Sequence, residues 1–350
     1  MRRAASYSGF VMVALLAAPP GAGAQVYPER IVAREKVRAI AAAYQRRDAS
    51  NREEQVERTT RTLKLGANGV LGLGNIAGDI TVTRGGGSDA TVEIVKTARG
   101  RDQGDAREQL QLVQVEVTER AGRTDVRTRY PSDAGRNNRR NFSVSVAYNV
   151  TAPAGTRLSI ESISGNVKIA DIKGDVSANT VSGDVRISGA ARISAAKSIS
   201  GTVEITDAQT DGALESGSVS GDVILRRVTA RRVEASTVSG SIKLEELQCD
   251  RVDASSTSGS VVFAGALARG GRYELNSFSG EIRLMLSGNT GFEIDANSFS
   301  GNIVHTDLQI TIRGGGEGNR RRRELSGTFG DGSAMLDLTT FSGSIVLSRR

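Results

Sequence analysis

From Leu63 onward, apolar and polar residues alternate with a period of two. The segments "TLKLGANGVLGLGNIAGDITVTRGG" and "ATVEIVKTA" show it first, with Gly-rich turns between the runs, a pattern that predicts short half-buried strands. From residue 163 a single phrase dominates: ISGNVKI (163–169), VSGDVRI (181–187), ISGTVEI (199–205), VSGDVIL (219–225), VSGSIKL (238–244), TSGSVVF (257–263), FSGEIRL (278–284), FSGNIVH (299–305) and FSGSIVL (341–347). Its glycines are Gly165, Gly183, Gly201, Gly221, Gly240, Gly259, Gly280, Gly301 and Gly343, spaced 18, 18, 20, 19, 19, 21, 21 and 42 residues apart. A period near 20 repeated this often is the pattern of a stacked solenoid. The last gap is twice 21, which predicts a displaced turn there, with "LSGTFG" around Gly327 as its remnant beyond the insert "GGGEGNRRRRE" (Gly314 to Glu324).

Stacking assigns a role to each position of the phrase. The glycine is expected at a sharp turn with positive φ, and the serine before it as the hydroxyl that satisfies turn backbone groups. The residue after the glycine varies and should face water. The next is always Val or Ile and should face inward. Lys168, Arg186, Lys243 and Arg283 then point out, and Ile169, Ile187, Leu225, Leu244 and Leu284 point in. A second alternating run, such as Val233 with Ala235 or Tyr273 with Leu275, gives each coil about two strands and two turns. Roughly ten coils at about 4.8 Å each predict a rod near 50 Å. Two places before the glycine, Ile and Val give way to Phe278, Phe299 and Phe341 as the coils lengthen. This predicts an aromatic ladder filling a wider core. Open solenoid ends expose sheet edges, and Ser348, Arg349 and Arg350 are expected to blunt one of them.

The expected class is therefore all-β: a single-chain β-solenoid of about 20-residue coils over 156–350, led by a β-rich region over 63–155. That lead-in contains one helix ("DQGDAREQLQLV"), a hairpin turning at Ala121–Gly122, and a strong strand ending at Pro153. Residues 29–61 carry nine basic and six acidic side chains. Val37, Ile40, Ala41 and Tyr44 predict an amphipathic helix around 29–47, and Arg46 to Glu54 a polar linker. A charged helix and linker is thus expected over 25–62. Residues 1–24 read as a signal peptide: Arg2 and Arg3, the apolar "FVMVALLAA", and small residues ending at Ala24. That apolar run is too short to span a bilayer, and no later segment is apolar enough. An exported chain in the periplasm, on the cell surface or outside the cell is expected.

Composition adds little to this picture. Of 350 residues, 41 are Gly, 5 are Pro and none is Trp, which suits strands and tight turns. The charge of +7 becomes 7 − 2 = +5 once the leader's two arginines are removed. Such a mild excess points to an envelope polymer, an anionic surface or a protein partner, and away from nucleic acid. The single Cys249 cannot form an internal disulfide and is expected to be buried.

The SG-D/N-V/I repeat, the phrase "GNIAGDITVTR" and the strand "YNVTAPAGTRLSIESISGNVKI" resemble a bacterial family of β-strand-repeat domains that carries the label "putative adhesin". The resemblance covers about 70–350. It implies a repeat β-fold and a surface or envelope binding role, and carries over no site residues.

No catalytic, cofactor or metal site is expected. His305 is the only histidine and stands at a core position late in the stack. The residues after the repeat glycines do not supply the acids that a Ca²⁺-binding repeat needs. Carboxylates such as Asp184 and Asp222 keep open a polysaccharide-active enzyme, though aromatic sugar platforms are scarce at 4% aromatic residues. Two arginine clusters in Gly/Asn-rich loops are the candidate anion or partner contacts: Arg136, Arg139 and Arg140, and Arg320, Arg321, Arg322 and Arg323. The leading expectation is a non-catalytic binding scaffold. The alternatives are a periplasmic accessory protein in envelope sensing and the polysaccharide-active enzyme.

Overall fold

The computed structural model describes residues 52–131, 142–312 and 323–350. The expected helix at 29–47 and the leader lie outside them. Within Glu53–Arg350 the chain winds through two long sheets, so each coil contributes one strand to each. One sheet takes the strand after each repeat glycine: Val167–Ala170, Val185–Ser188, Val203–Thr206, Val223–Arg226, Ile242–Glu245, Val261–Ala266 and Ile282–Ser287, all parallel. The other takes the strand before it, from Arg157–Ser164 through Arg272–Ser279, also parallel. With 13 and 14 described strands, the stack measures about 60 Å at ~4.8 Å per step.

Alternation builds the core. Val167, Val185, Val203, Val223, Ile242, Val261, Ile282 and Ile345 form one fully buried column, and Ile169, Ile187, Ile205, Leu225, Leu244, Phe263, Leu284 and Leu347 another. The buried aromatics include Tyr148, Phe292, and Phe263 and Tyr273, the last two packed edge to face at 5.3 Å. Phe278, Phe299 and Phe341, expected to fill the core, are instead 58%, 68% and 45% exposed. The reason is parity. In Arg272–Ser279, Tyr273, Leu275 and Ser277 point inward, which turns Phe278 outward.

The repeat glycines answer to stacking more than to φ. Only Gly165, Gly183 and Gly259 have φ in the left-handed range, at 137°, 144° and 159°. At every one of the nine, however, a Cβ would come closer than 3.0 Å to the backbone carbonyl of the glycine one coil below, Gly165 resting on Gly78. The left-handed residues sit at the opposite corner: Asp171, Asp207, Arg227, Glu246 and Asp307, with φ between 51° and 61°, and Gly189. The hydroxyl that satisfies the turn is also displaced. The serine before each glycine is exposed. The residue two places earlier still is buried, and its hydroxyl donates to the glycine carbonyl below: Ser198 to Gly183, Ser218 to Gly201 and Thr237 to Gly221, each at 2.9 Å. The column continues through Ser256, Ser277, Thr340 and Ser298.

The lead-in is continuous with this stack. Ile80–Gly85 pairs with Val167–Ala170, and Val70–Ala77 with Arg157–Ser164. The expected helix is Gln103–Leu112, capped by Asp102, which accepts from the Asp105 amide. The expected hairpin pairs Gln114–Arg120 with Arg123–Arg129, and the strand Val144–Pro153 ends where the sequence placed it. Glu53–Leu63, placed in the linker, is a strand antiparallel to Ala90–Gly100. Its outward-facing charged residues masked it as linker.

The far end departs from chain order. Ala334–Thr340 and Ile345–Arg349 insert between the coil of Arg272–Ser287 and the coil of Phe292–Thr306. The gap of 42 is therefore not a displaced turn. Gly327 lies on Glu324–Phe329, antiparallel to Phe292–Ser298, and is no remnant of one. The terminal residues Ser348 and Arg349 lie on an internal strand and blunt no edge; that edge is Ile303–Thr306. His305 gives the physical reason. It occupies the inward column opposite Leu347, and an imidazole enclosed there without partners would be costly. Its coil is stable at the end, where His305 is exposed. The inserted coil carries Leu336, Leu338, Ile345 and Leu347, all buried.

Candidate functional site

The parity that turns Phe278 outward does the same in every coil. Ile76, Ile163, Val181, Ile199, Val219, Val238, Phe278, Phe341 and Phe299 stand in register, interrupted only by Thr257, and all are at least 36% exposed. Scattered surface hydrophobics need no explanation, but a contiguous row does. At the wide end the three rings stack, Phe278 on Phe341 at 4.9 Å and Phe341 on Phe299 at 4.7 Å. At the narrow end the aliphatic members line a groove of 720 Å³, walled by Arg127, Glu161, Asn179, Lys197, Glu215 and Ser236. Lys197 and Glu215 pair with each other across coils. The end of the groove is closed by a buried network: Thr128 bonds Tyr148 and donates to Asn75 at 2.9 Å, and Asn75 donates to Val146 O at 2.7 Å. Burial pushes the Tyr148 hydroxyl up to about 12, so it stays protonated at neutral pH.

Of the outward cations Lys168, Arg186, Lys243 and Arg283, the two arginines are neutralised by their own neighbours. Arg186 pairs with Asp184 at 2.7 Å and Glu204 at 3.5 Å, and Arg283 with Glu281 at 2.5 Å. Exposed pairs of this kind add little stability, but they leave few unpaired charges for a polyanion. Asp184 and Asp222, the carboxylates considered for glycan chemistry, stand two coils apart on either side of Thr202. Each accepts a backbone amide of the next coil, Asp184 from Thr202 at 2.9 Å and Asp222 from Ser241 at 2.8 Å.

The outer face of the second sheet carries a carboxylate column in direct register: Glu215, Glu234, Asp253, Glu274, Asp337 and Asp295. Beside it Arg232 and Arg251 hold Asp253 at 2.7 and 3.2 Å. The arginine column stops where Arg272 meets Met335. Asp337 is thus left between two acids, and burial, then Glu274 and Asp295, raise its pKa. A carboxyl with a raised native pKa holds its proton longer in the native state. Stability is therefore lost as pH rises through that pKa. Asp337→Asn is expected to stabilise at pH 7 by a few tenths of a kcal/mol, the scale of a like-charge cross-strand pair, and to gain nothing at pH 3. Urea midpoints at the two pH values decide it, and equal gains at both would count against a charge effect.

Of the arginine clusters, Arg136, Arg139, Arg140, Arg320, Arg321 and Arg322 lie outside the described residues. Arg323 is exposed and borders a recess of 520 Å³ with Phe299, Phe341 and Thr339. Cys249 is buried, as expected, with burial pushing its thiol up to about 12. Among the described residues, no group of three or more His, Cys, Asp or Glu side chains is placed to hold a metal ion. No helix among them is long and apolar enough to cross a membrane.

The sequence matches the model of the Toastrack DUF4097 family over residues 75–348. The chain belongs to that family. No curated protein matches this Toastrack chain. Solved structures resemble it at low identity. One is a "putative adhesin" from Bacteroides fragilis, 15% identical, covering 84% of this chain and 97% of that one, with a TM-score of 0.41. A second "putative adhesin", from Parabacteroides distasonis, is 11% identical, covers 84% and 97%, and has a TM-score of 0.45. A "putative lipid binding protein" from Parabacteroides distasonis is 13% identical, covers 83% and 96%, and has a TM-score of 0.38. The "putative adhesin" label expected from the repeat phrase is thus the one that the first two of these structures carry. The exposed apolar row was missed from sequence. The signal was present: inward Tyr273 and Leu275 fix the phase of Phe278 three residues on.

Proposed function

We propose that this Toastrack protein is an exported, non-catalytic scaffold that binds a component of the cell envelope along its exposed apolar row. The observation that carries the reading is the row itself. Nine large hydrophobic side chains stay in register on the outside of the fold, whereas the other exposed large hydrophobics among the described residues, Val56, Val304, Ile312 and Met335, are scattered. A surface row of this length, kept out of the core by strand parity, suits an interaction site. Arg323, at the aromatic end, and the loop arginines beside it in sequence would add an anionic contact.

The test is binding of the full-length mature chain to envelope fractions. Val181→Asp with Ile199→Asp is expected to lower retention at least tenfold while leaving the thermal melt in place, because both side chains face solvent. Unchanged retention by the folded variant would refute the row as the binding surface.

A further inference from the structure

Resting on that reading, we infer that the aliphatic half of the groove takes a long-chain fatty acid, its chain laid along Ile163, Val181, Ile199 and Val219 and its carboxylate held by Arg127. Three observations carry this. The first is shape. The apolar row is one side chain wide, and from Ile76 to Val238 it advances one coil at a time, about 24 Å over five steps of ~4.8 Å. That is a track for a single unbranched chain.

The second is how little hydrogen-bonding capacity is left free beneath Ile199 and Val219. The strand amides are spent in the parallel ladders. The hydroxyls beneath the row at Ser198 and Ser218 are spent on Gly183 and Gly201. The flanking Lys197 and Glu215 are spent on each other. A peptide or a glycan laid here would lose water from more polar groups than Asn179 and Ser236, on the groove walls, could partner. A hydrocarbon chain loses nothing.

The third is the polar end. Arg127 is exposed, its stem lies over Gly74, and it makes no hydrogen bond or ion pair among the described residues; the nearby Asp125 and Glu116 are paired with Arg123 and Arg129 instead, although Asp125 feels the Arg127 charge. Two and three strands farther along the sheet, Ser162 and Thr180 break the hydroxyl column. Both are buried, both line the groove, and neither hydroxyl has a partner. Buried unsatisfied groups are rare enough to need a reason. Arg127 and these two hydroxyls make this the more polar end of the track. One guanidinium matches one carboxylate, which it can hold through two parallel bonds. Glu161, on the far side of Gly74, repels the head from moving inward along the row.

The experiment is a fluorescence titration of the full-length mature chain with cis-parinaric acid, followed by displacement with oleate, oleyl alcohol and lysophosphatidylcholine. Saturable binding is expected, with oleate the strongest competitor. Arg127→Gln should weaken oleate about tenfold, the loss of a charge-assisted bidentate pair, and leave oleyl alcohol unchanged. Arg127→Lys should restore part of the loss, and Ile199→Asp should abolish all binding. No saturable parinarate binding, an equal effect of Arg127→Gln on acid and alcohol, or stronger displacement by lysophosphatidylcholine would each overturn the assignment. Its failure is separable from that of the scaffold reading. If parinarate does not bind but Val181→Asp with Ile199→Asp still loses envelope retention, the row binds something other than a fatty acid.

Discussion

Gly221→Ala is expected to destabilise the stack by about 3 kcal/mol or more, at or beyond the upper end of ordinary overpacking. The new Cβ would press on the carbonyl of Gly201, closer than 3.0 Å, and that carbonyl belongs to backbone fixed on both sides. It accepts from the Ser218 hydroxyl at 2.9 Å, and the Gly221 amide is itself bonded to Ser239 O at 3.0 Å. Relief would require two coils to part, breaking ladder bonds in both sheets. The φ of Gly221 is not the issue, since it lies outside the left-handed range. Gly212→Ala is the control. Nothing lies within 4 Å of its Cβ position, and a change within ~0.5 kcal/mol is expected. Urea unfolding of the two variants beside the parent decides the matter. Equal effects would mean that the glycine column is tolerated by relaxation and does not set the coil spacing.

Removing residues 334–350 is expected to unfold more than the coil removed. In an ordinary solenoid the last stretch of chain is the last coil, and trimming it leaves the rest paired. Here the last stretch lies inside the stack. Its loss takes Leu336, Leu338, Ile345 and Leu347 from the core and separates Phe292–Thr306 from every parallel partner it has. Glu324–Phe329, which pairs with Phe292–Ser298, then loses its anchor. The truncated chain should be cleaved by a nonspecific protease throughout 288–333, while coils up to Arg272–Ser287 stay protected, because openings in such arrays are local. Protection of 292–306 in the truncated chain would show that this coil restacks directly on Arg272–Ser287, and that His305 is tolerated near the core after all.

The expectations that held share one property: they depend on residues close in sequence. The helix at Gln103–Leu112 is written in its cap and spacing, and the hairpin in Ala121–Gly122 between two alternating runs. The two-strand coil follows from repeats of matching phase. The inward columns from Val167 and Ile169 onward could be read because Val or Ile follows the varied residue in every copy. Phe278, Phe299 and Phe341 were misplaced because they were assigned from the lengthening of the coils and not from the phase of the strand that carries them. Carried forward from Tyr273, that phase gives the right face. Glu53–Leu63 was missed because an edge strand with one thinly covered face can be as polar as a linker.

The sequence by itself determined a repeat all-β architecture, the two strands of each coil and the family, since a side chain's face follows from its place in an alternating run and the repeat copies that run. The order of the final coils, the spacing role of the glycines and the existence of the groove were decided only in three dimensions. Gly201 and Gly221 touch across twenty residues of chain, Phe341 lies between Phe278 and Phe299 against chain order, and Arg127 meets the row from a strand that precedes it. Each depends on which coil lies against which, and that choice is made by the burial of leucines and the exclusion of one histidine from a shared core.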